Sequence, residues 1–195
     1  MFSAEGDAGE RIYEVDILSS AIRPVSNQDV EATTPVWMPD ASAKVFGCES
    51  SGEWGICVAD EVQQRTIATG FFRPIPIDQR WLAVVDLAGS LYRMRIDDGH
   101  TELIRSNMAG AGRYGWTLNG DQLFYIRPIA GGSEAQVIRH DLGSGAESVA
   151  YSGKMPLADT TLSYNEATQQ LLVTRFQTAS DDLVLIDLEN FSFGP

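Results

Sequence analysis

GRYGWTLNGDQLFYIRPIAGGSEAQVIRHDLGSGAESVAY, residues 112–151, is the stretch that decides the fold. It reads as four short strands, 113–117, 122–127, 136–141 and 147–151, joined by three turns. Asn119-Gly120 predicts a tight hairpin, because both central residues of a type I′ turn need φ > 0. A Gly-Gly loop follows Pro128, and Gly143-Ser144-Gly145 makes the third turn. Leu123-Phe124-Tyr125-Ile126 is apolar on both faces, so both faces of that strand need cover. A four-stranded meander covered on each side by similar sheets is a β-propeller blade. The fold class expected is therefore all-β, a propeller of four-stranded antiparallel blades.

The rest of the chain repeats this unit. Five segments end in a short strand with an Asp at or near its end, followed by a turn. Those residues are Asp16, Asp60, Asp97, Asp141 and Asp187, at steps of 44, 37, 44 and 46 residues. A self-similar period of about 40–45 residues marks a propeller. Asp suits the position because its carboxylate accepts from backbone N–H groups two residues on, which pins the turn. That is an architectural role rather than a catalytic one. Complete or nearly complete blades are read over 33–68, 71–105, 112–151 and 160–187. Segments 11–17 and 21–25 read as the third and fourth strands of a blade lacking its first half, and 189–195 as a weak fourth strand. The expectation is a partial ring of about four blades plus a half blade. Residues 1–10 are expected to form a flexible N-terminal tail. Residues 11–195 are expected to form a single propeller domain, or the C-terminal part of a larger propeller.

Composition narrows the function classes. The chain of 195 residues has a net charge of −13 and only two lysines, Lys44 and Lys154. Phosphate backbones and anionic lipid surfaces repel such a surface, so no direct nucleic-acid contact by this segment is expected. No apolar run approaches the ~20 residues of a membrane span, so no membrane insertion is expected either. The start, MFSAEGDAGE, has no basic region and no apolar core and does not read as a signal peptide.

Several runs point further. Pro35-Val36-Trp37-Met38-Pro39-Asp40 and Gly115-Trp116-Thr117-Leu118-Asn119-Gly120-Asp121 resemble the W-S-P-D-G repeat of TolB-like propellers. Glu53-Trp54-Gly55-Ile56-Cys57-Val58-Ala59-Asp60 resembles the W-x-I-Y-V-x-D form of the same repeat. The closing run from Asp181 to Phe191, DDLVLIDLENF, resembles the C-terminal end of the propeller carried by membrane-anchored winged-helix transcriptional regulators. The blade at 160–187 departs from the pattern with Ser163-Tyr164-Asn165-Glu166, and the blade at 71–105 with Ile75-Pro76-Ile77-Asp78. The resemblance implies a non-enzymatic sensing or interaction domain on the periplasmic or extracytoplasmic side of a membrane, a cytoplasmic location being the alternative. It implies a DNA-binding domain and membrane anchor upstream. A TolB-like envelope scaffold and the gating propeller of a serine peptidase are the other readings.

No catalytic set, cofactor motif or metal-ligand spacing stands out. There is no G-x-S-x-G elbow. His100 and His140 fall near outer turns of different blades, which favours neither a triad nor a metal site. Asp97-Asp98-Gly99-His100-Thr101-Glu102 reads either as an oxygen-rich cation site or as a tight Asp-Gly turn. Cys48 and Cys57 sit on neighbouring strands. If Gly52-Glu53 forms a two-residue turn they lie directly opposite and can be bridged; a longer loop separates them as two buried thiols. A bridge would favour an oxidising compartment.

Propellers bind at the ends of the central channel, which the first strands and their entry loops line. The entries here are Thr33-Thr34, Phe71-Phe72-Arg73, Gly112-Arg113-Tyr114 and Asp159-Thr160-Thr161. Arg73, Arg113 and Tyr114 are the candidate ligand-binding residues, for a protein or a small-molecule ligand at the channel. Two arginines recognise a carboxylate or an acidic partner, or else pair with acids across blades. Trp37, Trp81 and Trp116 are expected to pack between blades rather than to serve as ligand platforms.

Overall fold

A computed structural model describes residues 1–6, 9–60, 63–106, 108, 111, 114–129, 134–154, 161–165, 167–177 and 180–187, side chains excepted at 6, 50, 174–177 and 180–187. The described residues form strands, turns, bends and irregular connections, with no helix among them. The chain divides into two compact units, Met1–Arg105 and Ser106–Pro195.

The first unit holds three antiparallel sheets. β1 (Phe2–Gly6), β2 (Gly9–Val15) and β3 (Ile22–Pro24) form the first, in that order. β4 (Ala32–Trp37), β5 (Lys44–Ser50), β6 (Glu53–Ala59) and β7 (Gln64–Thr69) form the second. β8 (Phe71–Pro76), β9 (Trp81–Asp86), β10 (Leu91–Arg95) and β11 (Thr101–Arg105) form the third. The second unit holds two more. One is β12 (Trp116–Asn119), β13 (Gln122–Pro128), β14 (Glu134–Asp141) and β15 (Glu147–Lys154). The other is β16 (Leu162–Asn165), β17 (Gln170–Gln177) and β18 (Ser180–Asp187). Every sheet is an up-and-down meander, as the blade reading requires.

Period-two alternation explains why the sheets stack. On β5 and β6, Val45, Ile56 and Val58 face the third sheet, where Leu82, Val84, Met94 and Ile96 meet them. The alternate residues Phe46, Cys48, Cys57 and Ala59 face the first sheet and meet Ile12. A middle strand is thus buried on both sides, as the continuous apolar runs predict. In the second unit Phe124, Ile126 and Val137 pack on Leu162, Leu171 and Val173. Polar ties join the sheets of the first unit at their rims: the Arg65 guanidinium donates to the carbonyls of Ile96, at 3.0 Å, and Asp97.

The aspartate repeat does what its chemistry predicts in three of the five copies. Oδ1 of Asp16 accepts from Leu18 N and Ser19 N, that of Asp60 from Gln63 N, and that of Asp141 from Ser144 N and Oγ. In the third sheet the neighbour takes the role: Asp98, not Asp97, accepts from His100 N and is paired with Arg95. The carboxylate that a cation would need is therefore held by an arginine. The Asp187 side chain lies outside the described residues. A second series, invisible in the period, caps the turn between first and second strands: Asp40 accepts from Ser42, Asp78 from Arg80 N and Trp81 N, and Asn165 from Ala167 N and Thr168 N.

Several expectations need correction. Phe2–Gly6 is not a tail but β1, paired with β2 from Phe2↔Tyr13 to Gly6↔Gly9. Phe2 stacks on Tyr13 with ring centroids 5.8 Å apart, an aromatic cross-strand pair that the short alternating run did not advertise. The first strand expected at 113–117 runs instead from Trp116 to Asn119. Asn119 pairs with Gln122, so the hairpin turns at Gly120-Asp121 and only Gly120 is left-handed, with φ 53. That places Gly at the first central position, the choice of a II′ rather than a I′ turn. The last pair between β17 and β18 is Gln177 with Ser180. The weak strand expected at 189–195 lies outside the described residues.

Candidate binding surfaces

The entry strands carry a shared irregularity. In β4 the register with β5 shifts between Thr33 and Val36, and Thr34 takes φ 51. In β8 the register with β9 shifts between Phe72 and Ile75, and Arg73 takes φ 49. Each left-handed residue is followed by a proline, Pro35 or Pro74. Non-glycine residues held there cost about 1–3 kcal/mol each, and such conformations gather at functional sites. The bulge re-aims the side chain relative to the strand. Arg73 is half-buried, and it does not lack a partner.

The other sequence-derived residues lie in the second unit. Tyr114, also half-buried and partnered, precedes β12. Its carbonyl accepts from Leu162 N at 3.1 Å and so ties the entries of the two sheets there. Arg113 is outside the described residues.

A different surface escaped the sequence reading. It is a groove of about 560 Å³ at the turn end of the second sheet, lined by Arg23, Trp37, Ala41, Ser42, Ala43, Lys44, Ala59 and Asp60. Two cross-strand rows build it. Trp37 pairs with Lys44 and Lys44 with Ala59 in the second sheet, while Glu14 pairs with Arg23 in the first. Lys44 Nζ lies 2.9 Å from Glu14 Oε2 and 5.1 Å from the centroid of the Trp37 ring. Arg23 Nε donates to Glu14 Oε1. Burial raises the Glu14 carboxyl, but the hydrogen bonds and charges of Lys44 and Arg23 outweigh it and leave the group below its ordinary value.

Trp37 therefore departs from the expectation of inter-blade packing: it is 42% exposed, whereas Trp116 is fully buried. Trp81 is half-buried with Arg93 over its ring at 4.8 Å. What the sequence hid was Glu14, a buried acid in a surface-like strand, whose two cations arrive from different sheets.

Cys48 and Cys57 are joined by a disulfide with Cα atoms 5.8 Å apart. The turn is Ser51-Gly52, both left-handed with φ 58 and 83, rather than Gly52-Glu53. The cysteines are consequently offset, Cys48 facing Gly55 and Cys57 facing Phe46, and the bond spans a diagonal of the ladder.

No family model matches the chain, and no curated protein matches it in sequence. Solved structures do match. TolB from Acinetobacter baumannii aligns over 92% of this chain and 46% of its own, with a TM-score of 0.70 at 14% identity. The fold is that of a TolB-like β-propeller. A chain of a nidogen–laminin complex aligns over 96% of this chain and 73% of its own, with a TM-score of 0.67 at 9% identity. A prolyl endopeptidase aligns over 93% of this chain and 30% of its own, with a TM-score of 0.59 at 14% identity. The chain thus spans less than half the length of the TolB structure.

Proposed function

We propose that this TolB-like propeller is a non-enzymatic interaction module that binds a protein partner through its entry strands, with Arg73, Arg113 and Tyr114 as contact residues. The observation that carries the reading is the strained bulge repeated at Thr34 and Arg73. Strain kept at one position of two neighbouring blades is paid for by the surrounding fold, and binding is the use that justifies it. The nidogen structure, a complex with laminin, supports a protein rather than a small molecule as the ligand.

The buried Cys48–Cys57 bridge supports an oxidising, extracytoplasmic location, because cytosolic thiols stay reduced. The resemblance of the Asp181–Phe191 run supports assignment to the sensing part of a membrane-anchored winged-helix regulator. A TolB-like envelope scaffold is the second reading, favoured by the TolB likeness. The upstream reading frame separates the two: a winged helix and a membrane span fit the regulator, and a signal peptide without a span fits the scaffold. Mass spectrometry after thiol blocking in intact cells tests the location. A Cys48–Cys57 cross-linked peptide is expected, and free alkylated thiols contradict it.

A further inference from the structure

The groove at Trp37 has no part in the entry-strand reading. We propose that it is a saccharide site, taking one pyranose ring with its C–H face on the Trp37 indole and its hydroxyls on Ser42, Lys44 and Asp60. The charges around the groove are balanced, which disfavours an ion of either sign. Lys44 and Arg23 are both engaged by Glu14, and the Arg23 charge acts on Asp16 as well. A carboxylate would gain little from these two cations and would meet Asp60 in the lining. An ammonium ligand would meet Arg23 and Lys44. The occupant is therefore neutral.

Hydrogen-bonding capacity narrows the class further. The Lys44 ammonium only donates, whereas the Asp60 carboxylate only accepts. Ser42 Oγ donates its proton to Asp40 Oδ1, at 2.6 Å, so towards a ligand it too only accepts. A lining of fixed donors and fixed acceptors suits groups that do both at one atom, which is the property of a hydroxyl. An extended peptide would instead depend on main-chain bonds. The turn amides here are already used: Met38 N donates to Ala43 O, Ala41 N to Met38 O, Ser42 N to Asp40 Oδ1 and Asp60 N to Gln63 O. The rest of the lining is apolar. Trp37 is 42% exposed, with Lys44 Nζ 5.1 Å from its ring centroid, and Ala41, Ala43 and Ala59 lie around the groove. A pyranose joins an apolar C–H face to a rim of hydroxyls, and an indole is a large, rigid platform for that face. The groove volume of about 560 Å³ suits a small ligand.

The test titrates the full chain with methyl β-D-glucopyranoside, methyl β-D-galactopyranoside and methyl N-acetyl-β-D-glucosaminide. It follows the Trp37 indole N–H by heteronuclear NMR and the sugar protons by saturation transfer. At least one glycoside is expected to give a saturable shift, with a dissociation constant of roughly 1–10 mM. Saturation transfer should be largest at the ring C–H protons of one face. Affinity should be the same at low and high salt, because the ligand carries no charge. Trp37→Ala should weaken binding about five- to tenfold. Glycerol, which has hydroxyls without a ring face, and N-methylacetamide, the peptide amide alone, should give no saturable shift. The proposal is overturned if none of the three glycosides saturates, if glycerol or N-methylacetamide acts equally well, or if Trp37→Ala binds undiminished. The glycerol comparison uses the unaltered chain, so it decides the matter even if Trp37→Ala folds poorly. Neither result bears on the entry strands, which are probed separately at Arg73.

Discussion

Cys48 and Cys57 are bonded across a diagonal of the β5–β6 ladder, two registers away from the directly opposed pairing. Both are buried, at 0% and 1% exposure, in the core between the first and second sheets. The bridge closes a short loop, with a sequence separation of 9. Chain entropy for a loop of that size gives about 2–3 kcal/mol. The double change Cys48→Ala, Cys57→Ala should lower stability by that amount in urea unfolding, and dithiothreitol should act on the parent alone. An unchanged midpoint would count against a structural bond.

Glu14 couples the groove to pH. Its folded value is depressed, so the stability it contributes is present above its unfolded value, near 4.5, and is lost as pH falls through the lower folded value. Glu14→Gln should flatten that part of the acid-unfolding profile. At neutral pH it should cost about 1–3 kcal/mol, because Lys44 loses the opposite charge it is paired with. A parallel acid limb in the two proteins would contradict the assignment.

Asp141 anchors the third turn of its sheet. Hydrogen bonds from Ser144 N and Oγ and from Gln122 bring its carboxyl down to about 2. Carbon-detected NMR titration should show Asp141 still ionised at pH 3, and its stabilising share should disappear only as pH falls through about 2. Asp141→Ala should speed hydrogen exchange at Ser144 N.

Gly55 is the strictest glycine of the second sheet. A Cβ there would stand 2.2 Å from the Ala68 carbonyl oxygen, which belongs to the backbone of β7 and cannot step aside. Gly55→Ala should destabilise the chain by about 2–4 kcal/mol, whereas Gly52→Asn, in a left-handed turn open to solvent, should be tolerated. Thermal unfolding compares the two.

Blade limits were legible because turns and strands obey local rules. Asp60 and Asp141 announce their turns within a few residues. The errors arose where two local choices compete. Asp97 and Asp98 are adjacent, and Arg95 decided between them. Asn119 and Gly120 both tolerate turn geometry, and the pairing of Trp116 with Tyr125 set the register. The groove was illegible for another reason. Glu14, Arg23 and Lys44 meet only after two sheets stack, and no spacing along the chain encodes that. The left-handed turn into proline at Arg73 likewise opposes the ordinary preference of residues before proline, so nothing local forecasts it.

The central claim is that the entry strands bind a protein, and photo-cross-linking reads it most directly. A photoreactive side chain is placed at position 73 or 114 of the full chain in its native cell, with position 93 as a surface control. The account predicts a discrete protein adduct from positions 73 and 114 that the control does not give. No adduct at either position, or the same adducts from all three, would contradict it.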